Sequence, residues 1–454
     1  MTTTGGTAPD RSRPSFLRRS TGLVPPQGRV GADGPVTDLT NPPESTDLTD
    51  LPDLTDSPVT DPSLAGLLSA ADPAEATEPG IARPAVTELR LSAFGAHRAT
   101  VLPLGPVTLL RGPSGSGKST ALRAYEVLAA LGAGAGLAEA LPDAVDRVPE
   151  RARPDAQGRR GFRIGCTVDG PMGPVRLDVA VQAEPTLRIV GERLTGLGRT
   201  LLTTALRDPG RGTVQAEWHT AGSTPVTRAP FPDDLLGTAL LPLRVAGKTQ
   251  GQRDVLAAAE QVVVGLRAVF PCDPQPRRMR APVPVGSGRL RRDCRNLAEV
   301  LHRTATECPR RHARLAAFAG AGCGGRVTAL ALRESMEGDT VQAVLERAAR
   351  ATTPLGRLGD GELRYLALGL VLLTGPGVLA MDPVAEVPQA MQTLTVLADG
   401  LDLGLDRRQL RALLALAAEI CAAGHLRLVA TVGEGVEVPR APGITVVDLA
   451  RDRT

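Results

Sequence analysis

The sequence predicts an α/β fold built around a phosphate-binding loop, and three stretches predict it. Val107-Thr-Leu-Leu-Arg-Gly112 reads as a short buried strand, followed by Pro113-Ser114-Gly115-Ser116-Gly117-Lys118-Ser119-Thr120 and a helix from Ala121 to Leu131. Gly377-Val-Leu-Ala-Met-Asp382 reads as an apolar strand ending in an acid. Arg407 to Ala422 sets Leu410, Leu413, Leu414, Ala417 and Ile420 on one helical face, and Leu426 to Val432 follows as a core strand.

The first stretch matches G-x-x-x-x-G-K-[ST] at every fixed position, with the strand before it and the helix after it that the motif requires. A triphosphate is best held by many inward-pointing backbone N–H groups. Gly115 and Gly117 permit the tight turn and close approach, and the helix N-terminus favours negative charge. Lys118 would reach the β and γ oxygens, and the Ser119 hydroxyl would ligate Mg²⁺. Gly112, Ser114, Gly115, Ser116, Gly117, Lys118, Ser119 and Thr120 are therefore the candidate nucleotide-binding residues. The plain alternative is a Gly-rich turn that binds nothing. Of 52 Lys+Arg only Lys118 and Lys248 are Lys, so a compact ammonium is retained in the loop where the chain otherwise uses guanidinium. Lys248 lacks a preceding loop and reads as a solvated turn.

At 454 residues the chain can hold more than one domain. Aromatics make up only 2%, so the core must come from Leu, Val and Ala. The net charge of +3 divides unevenly: residues 1–82 carry −7 and the remainder +10. A basic body permits an anionic partner without requiring one. The six cysteines are scattered with no C-x-x-C pair, which argues against a zinc site or disulfide framework and suits a reducing cytoplasm. No apolar signal core opens the chain, and the longest apolar run, Tyr365 to Thr374, is too short to span a bilayer. A soluble, cytoplasmic protein is expected.

Taken in order, residues 1–85 form a Pro/Thr/Asp-rich tail expected to be disordered, with eleven acids and no base between Arg29 and Arg83. Residues 86–148 are the first part of the ATP-binding core. Val86 to Leu91 and Ala99 to Leu102 read as strands around a Phe94-Gly-Ala-His97-Arg98 turn. Residues 149–245 form a β-rich subdomain, with strands at Gly161 to Thr167, Val175 to Gln182, Leu187 to Glu192 and Thr213 to His219. Residues 246–355 form an Arg-rich helical lobe: Gln250 to Phe270 is a helix stopped by Pro271, and Asn296 to Leu301 begins another. Eleven Arg fall between Arg277 and Arg314, which could mark a nucleic-acid surface, although almost no aromatic is interleaved for stacking. Residues 356–454 complete the core, ending in a strand at Ile444 to Leu449, after which no further domain is expected.

The stretch from Leu89 through Ala130 resembles the start of RecF/SMC/Rad50-type ATPases, members of the ABC class. Asn296-Leu-Ala-Glu-Val-Leu301 resembles a helix of their lobe, and Leu358-Gly359-Asp360-Gly361-Glu362 resembles the ABC signature. The resemblance covers most of residues 86–450. It implies an ABC-ATPase head-like P-loop core with an antiparallel β subdomain and an inserted helical lobe. It places the His97–Arg98 turn near the nucleotide, and makes Asp382 the Walker B acid that holds Mg²⁺ with Ser119. Its Mg²⁺-sensing Gln has only a poorly placed candidate, Gln157. ATP and Mg²⁺ are the implied cofactors, and an ATP-dependent head-to-head homodimer the implied assembly.

Three departures from the pattern bear on hydrolysis. Gly359 stands where the signature Ser would be. Pro383 stands where Glu would follow the Walker B acid, with Glu386 the closest acid. Thr431-Val432-Gly433 replaces a His-containing switch. The expectation is an ATP-binding switch with slow or absent turnover. The alternatives are an active ATPase in DNA repair or defence that uses Glu386 or Glu362 as base, and a scaffold that has lost nucleotide.

Overall fold

The computed structural model describes residues 82–220, 226–336, 338–348, 351–381, 387–388 and 391–449. The expected tail, through residue 81, lies outside them, as do Asp382, Pro383 and Glu386.

The chain opens with β1 (Ala85–Phe94), β2 (His97–Pro103) and β3 (Val107–Gly112), then helix α1 (Lys118–Gly132). Six strands follow: β4 (Arg160–Asp169), β5 (Val175–Glu184), β6 (Arg188–Gly196), β7 (Arg199–Asp208), β8 (Thr213–His219) and β9 (Val226–Pro232). With β1 and β2 they form one antiparallel sheet in the order β2-β1-β4-β5-β6-β7-β8-β9. The strands of the expected β-rich subdomain thus continue a sheet begun before the Gly112–Thr120 loop. Strands β7 and β9 were not expected. Thr-rich Arg199–Asp208 and Pro-bearing Val226–Pro232 show little apolar alternation, and ladder pairing to β6 and β8 holds them.

Helices α2 (Gly237–Arg244) and α3 (Gln250–Arg267) come next, then β10 (Val269–Cys272). The helix expected to reach Phe270 stops at Arg267, and Pro271 lies within β10 instead. Proline is tolerated there because β10 is an edge strand, paired on one side only, to a later strand. Residues Val283–Pro284 (β11), Val327–Glu334 (β12), Thr340–Arg347 (β13) and Thr352–Pro354 (β14) make a small antiparallel sheet, with α4 (Leu297–Glu307) and α5 (Pro309–Gly322) packed beside it. The region expected to be a helical lobe therefore also carries strands.

Helix α6 (Asp360–Leu373), β15 (Leu394–Ala398), α7 (Arg407–Ala422), β16 (Leu426–Gly433) and β17 (Ile444–Asp448) complete the fold. The second sheet, in the order β10-β15-β16-β3-β17, is parallel throughout. A parallel sheet is covered on both faces, so its strands read as continuous apolar runs, and all five residues of β15 are buried. Alternation assigns each side chain to a face. Leu109, Val396, Leu428 and Ala430 join one apolar cluster, with α6 and α7. Leu110, Leu397 and Val429 join the other, with α1, α3 and the antiparallel sheet.

Of the strand expected at 377–382, the described residues 377–381 are not part of this sheet. They form a turn, with a single bridge from Leu379 to Leu290. The position beside β16 belongs to β15, and Asp399 follows its last residue, Ala398.

Candidate functional site

β3 lies between β16 and β17, and its last residue opens the loop. A Cβ at Gly112 would sit 2.3 Å from the Leu449 carbonyl oxygen, so no side chain fits there. The Leu449 N–H donates to the Arg111 carbonyl at 2.7 Å. The Arg111 guanidinium makes a two-pronged contact with Asp448, Nε–Oδ1 2.6 Å and Nη2–Oδ2 2.9 Å, which holds the Asp448 carboxyl below its usual range.

Gly117 precedes α1 with φ 90°. No side chain caps α1, and its first turn carries no acid. The first N–H groups of a helix have no intrahelical partner and, with the dipole, attract anions. Lys118 Nζ donates to the carbonyls of Gly112 at 2.6 Å and Pro113 at 2.8 Å, spanning the loop. Ser116 Oγ is buried with no hydrogen-bond partner among the described residues. An uncapped helix start, a loop-spanning ammonium and the Ser119 hydroxyl form a donor set that fits a polyphosphate, whereas Gly115, Ser116 and Gly117 are not among the cleft-lining residues.

The β1–β2 turn supports the loop from beneath. His97, 3% exposed, has Nε2 3.0 Å from the Gly117 carbonyl oxygen and Nδ1 3.2 Å from Thr100 Oγ1. A carbonyl can only accept, so Nε2 carries the proton and the Thr100 hydroxyl donates to Nδ1. Burial pushes the His97 pKa down, only partly offset by the Gly117 bond.

The loop opens into a cleft of about 900 Å³. Lys118, Ser119 and Thr120 line one wall; Asp399, Asp402 and Thr431 line another. Thr431, near the end of β16, is 1% exposed and donates to Asp399 Oδ1 at 2.5 Å. Its hydroxyl accepts the Gly400 N–H at 2.7 Å. Asp402 Oδ2 accepts the Gly433 N–H at 3.2 Å. Asp273, just after β10, also lines the cleft, as do Glu126 of α1 and Arg292, which pair at 2.9 Å.

Sequence reasoning missed Asp399, Asp402 and Asp273. Leu394-Thr-Val-Leu-Ala-Asp399 repeats the apolar-run-then-acid signal of residues 377–382. Two similar signals were present, and only strand placement separates them. Gln157 lies in an exposed turn, where its side chain accepts from Arg159, and it does not line the cleft.

Gly359, Asp360, Gly361 and Glu362 form the start of α6 and are not among the cleft-lining residues. The Glu362 carboxylate accepts from Gly324 N at 2.7 Å and Gly359 N at 3.1 Å. Arg280 pairs with Asp360 and donates to the carbonyls of Gly356 and Leu358. A Cβ on Gly361 would meet the Gly404 carbonyl oxygen at 2.0 Å, so this turn packs directly on the chain leaving the cleft. Arg364 of α6 donates to the carbonyls of Pro274 at 2.8 Å and Gly400 at 3.0 Å, touching both cleft loops.

No family model and no curated protein matches the chain. Among solved structures it is similar to an Smc head bound to the C-winged helix domain of ScpA, with TM-score 0.42 and 12% identity over 77% of this chain and 90% of that one. It is similar also to an SMC head domain from Thermotoga maritima, with TM-score 0.36 and 14% identity over 77% and 89%. A third is an Smc head with an extended coiled coil bound to the C-terminal domain of ScpA derived from Pyrococcus furiosus, with TM-score 0.35 and 11% identity over 77% and 89%. At these scores the likeness adds nothing to the site, which stands on its own geometry. Among the described residues no helix is long and apolar enough to cross a membrane.

Proposed function

We propose that the chain is an ATP-binding protein of the RecF/SMC-like ABC-ATPase type, acting as a nucleotide-dependent switch with slow or absent hydrolysis. One observation carries the reading: the phosphate loop at the end of β3 and Asp399 at the end of β15 face one cleft, with Thr431 of β16 between them and bonded to Asp399. Gly112 through Thr120 would hold the phosphates, Lys118 the β and γ oxygens, and Ser119 with Asp399 the Mg²⁺ ion. Asp399 takes the role expected of Asp382. Bound ATP·Mg²⁺ would supply charge that one conformation of the protein contacts better than another, which is what a switch requires.

The slow-turnover reading rests on the position after Asp399. It is Gly400, which has no side chain to orient water; its N–H is held by Thr431 and its carbonyl by Arg364. Glu362 is engaged by two backbone N–H groups, which leaves it poorly placed to serve as a base. Loss of one such part in phosphoryl transfer costs on the order of 10³–10⁵ in rate. Two heads would pair on ATP, with Gly359 to Glu362 of one covering the nucleotide of the other.

Calorimetry with ATP·Mg²⁺ and a phosphate-release assay on the full chain test this. Binding with release barely above background supports it. Fast release sinks the slow-turnover part and favours an active ATPase, for which the cleft acids Asp402 and Glu434 are the observed candidates for a base. No heat of binding leaves a scaffold.

A further inference from the structure

We infer that His97 is a positioning residue for nucleotide binding, setting the orientation of the Gly117–Lys118 peptide in the phosphate loop. The inference rests on the ATP-binding reading above and adds to it a residue outside the loop motif.

Gly117 occupies the left-handed region at φ 90°, the one point where the loop turns into α1. A residue with no side chain has the widest choice of backbone orientation, so something outside it must select one. Two donors meet on its carbonyl oxygen: Ala121 N–H of α1 at 2.9 Å and His97 Nε2–H at 3.0 Å. The peptide is planar and trans, so its C=O and N–H point in opposite directions. His97 does not line the cleft, whereas Lys118 does. Holding the Gly117 carbonyl down on His97 therefore turns the Lys118 N–H, the first N–H of α1, toward the phosphate side. That is the group a bound polyphosphate oxygen would meet.

The support is itself fixed. The Thr100 hydroxyl occupies Nδ1 at 3.2 Å and leaves Nε2 as the donor. A Cβ placed on Gly117 would lie 2.6 Å from His97 Nε2 and 3.3 Å from Ala96 Cβ, so ring and loop are in full contact. Gly95 backs on Thr120 equally closely, with its virtual Cβ 2.7 Å from Thr120 Cγ2. The β1–β2 turn is thus shaped to the underside of the loop over both Gly117 and Thr120.

The test compares His97→Phe, which keeps a ring but has no donor, with His97→Gln, whose amide nitrogen stands near the place of Nε2. His97→Asn is the third variant, its amide too short to reach Gly117. Each full-length chain is titrated with a fluorescent ATP analogue and Mg²⁺, and melted without nucleotide. His97→Phe and His97→Asn should bind about tenfold more weakly, the loss expected when one hydrogen bond in a preorganised loop is removed. His97→Gln should recover to within about threefold of wild type. If His97→Phe does not fold, the Gln and Asn variants decide: equal affinities overturn the inference, and rescue by Gln alone supports it. Wild-type binding retained in His97→Phe overturns it while leaving the ATP reading intact. A wild-type chain that binds no ATP overturns both.

Discussion

Thr431 donates to Asp399 at 2.5 Å and accepts from Gly400 N–H at 2.7 Å, so one hydroxyl joins the tip of β16 to the turn after β15. The contact holds Asp399, the cleft acid that directly follows β15, in place. It also occupies Thr431-Val432-Gly433, the place of the His-containing switch that the resemblance implies. A hydroxyl that both donates and accepts is a passive brace, since it has no proton to gain or lose near neutral pH.

Lys118→Ala should abolish measurable ATP binding while moving the melting temperature by only a few degrees. Among the described residues its Nζ is hydrogen-bonded to the loop carbonyls of Gly112 and Pro113. Lys118→Arg should also fail, because a planar guanidinium cannot replace a compact ammonium bonded to two carbonyls of one turn. Calorimetry checks both, and wild-type affinity in either variant contradicts the assigned role.

Asp399→Asn should leave ATP binding in chelator largely intact and remove most of the gain in affinity that Mg²⁺ brings. A neutral amide is a poor ligand for a hard cation. Titrations with and without Mg²⁺ separate the two effects. Retention of the full Mg²⁺ effect would return the metal role to Asp382.

Acidification should weaken the fold through His97. Its folded pKa lies below the ordinary 6.5 because burial disfavours the imidazolium. Between those two values the unfolded chain binds the extra proton and the folded chain does not. Stability therefore falls as the pH drops through about 6.5, and the fall levels off below the folded pKa. Urea unfolding of wild type and His97→Gln across this range should show the shallower pH slope in the variant.

Glu192→Ala should be among the costliest single changes in the antiparallel sheet. The carboxylate is 1% exposed and accepts from Gly237 N at 2.7 Å, Thr238 N at 2.7 Å and the Thr238 hydroxyl, capping α2. Its removal strands three buried donors, at a cost of about 3 kcal/mol. Denaturant unfolding measures that loss. The folded fraction should still bind ATP, since Glu192 does not line the cleft.

The strand, loop and helix around Gly112–Thr120 were legible in the sequence because the motif is local. Glycines at 115 and 117, a lysine, a hydroxyl and a following helix act within a few residues of one another, so their order along the chain already states their geometry. Helix α7 and strand β16 were legible for a similar reason: an apolar period of 3.6 or an unbroken apolar run is a property of one segment. The acid that shares the loop's cleft was not. Residues 377–382 and 394–399 carry the same signal, an apolar run closed by Asp, and no local rule ranks them. The parallel sheet ranked them by pairing Leu394–Ala398 with β16 and leaving Leu379 a lone bridge to Leu290. The contact between His97 and Gly117 spans 20 residues and exists only because β1 and β2 fold beneath the loop. The strand, loop and helix around Gly112–Thr120 were written in the order of residues; which acid shares their cleft, and which ring lies beneath them, was decided by strand pairing, a long-range property that no short window of sequence contains.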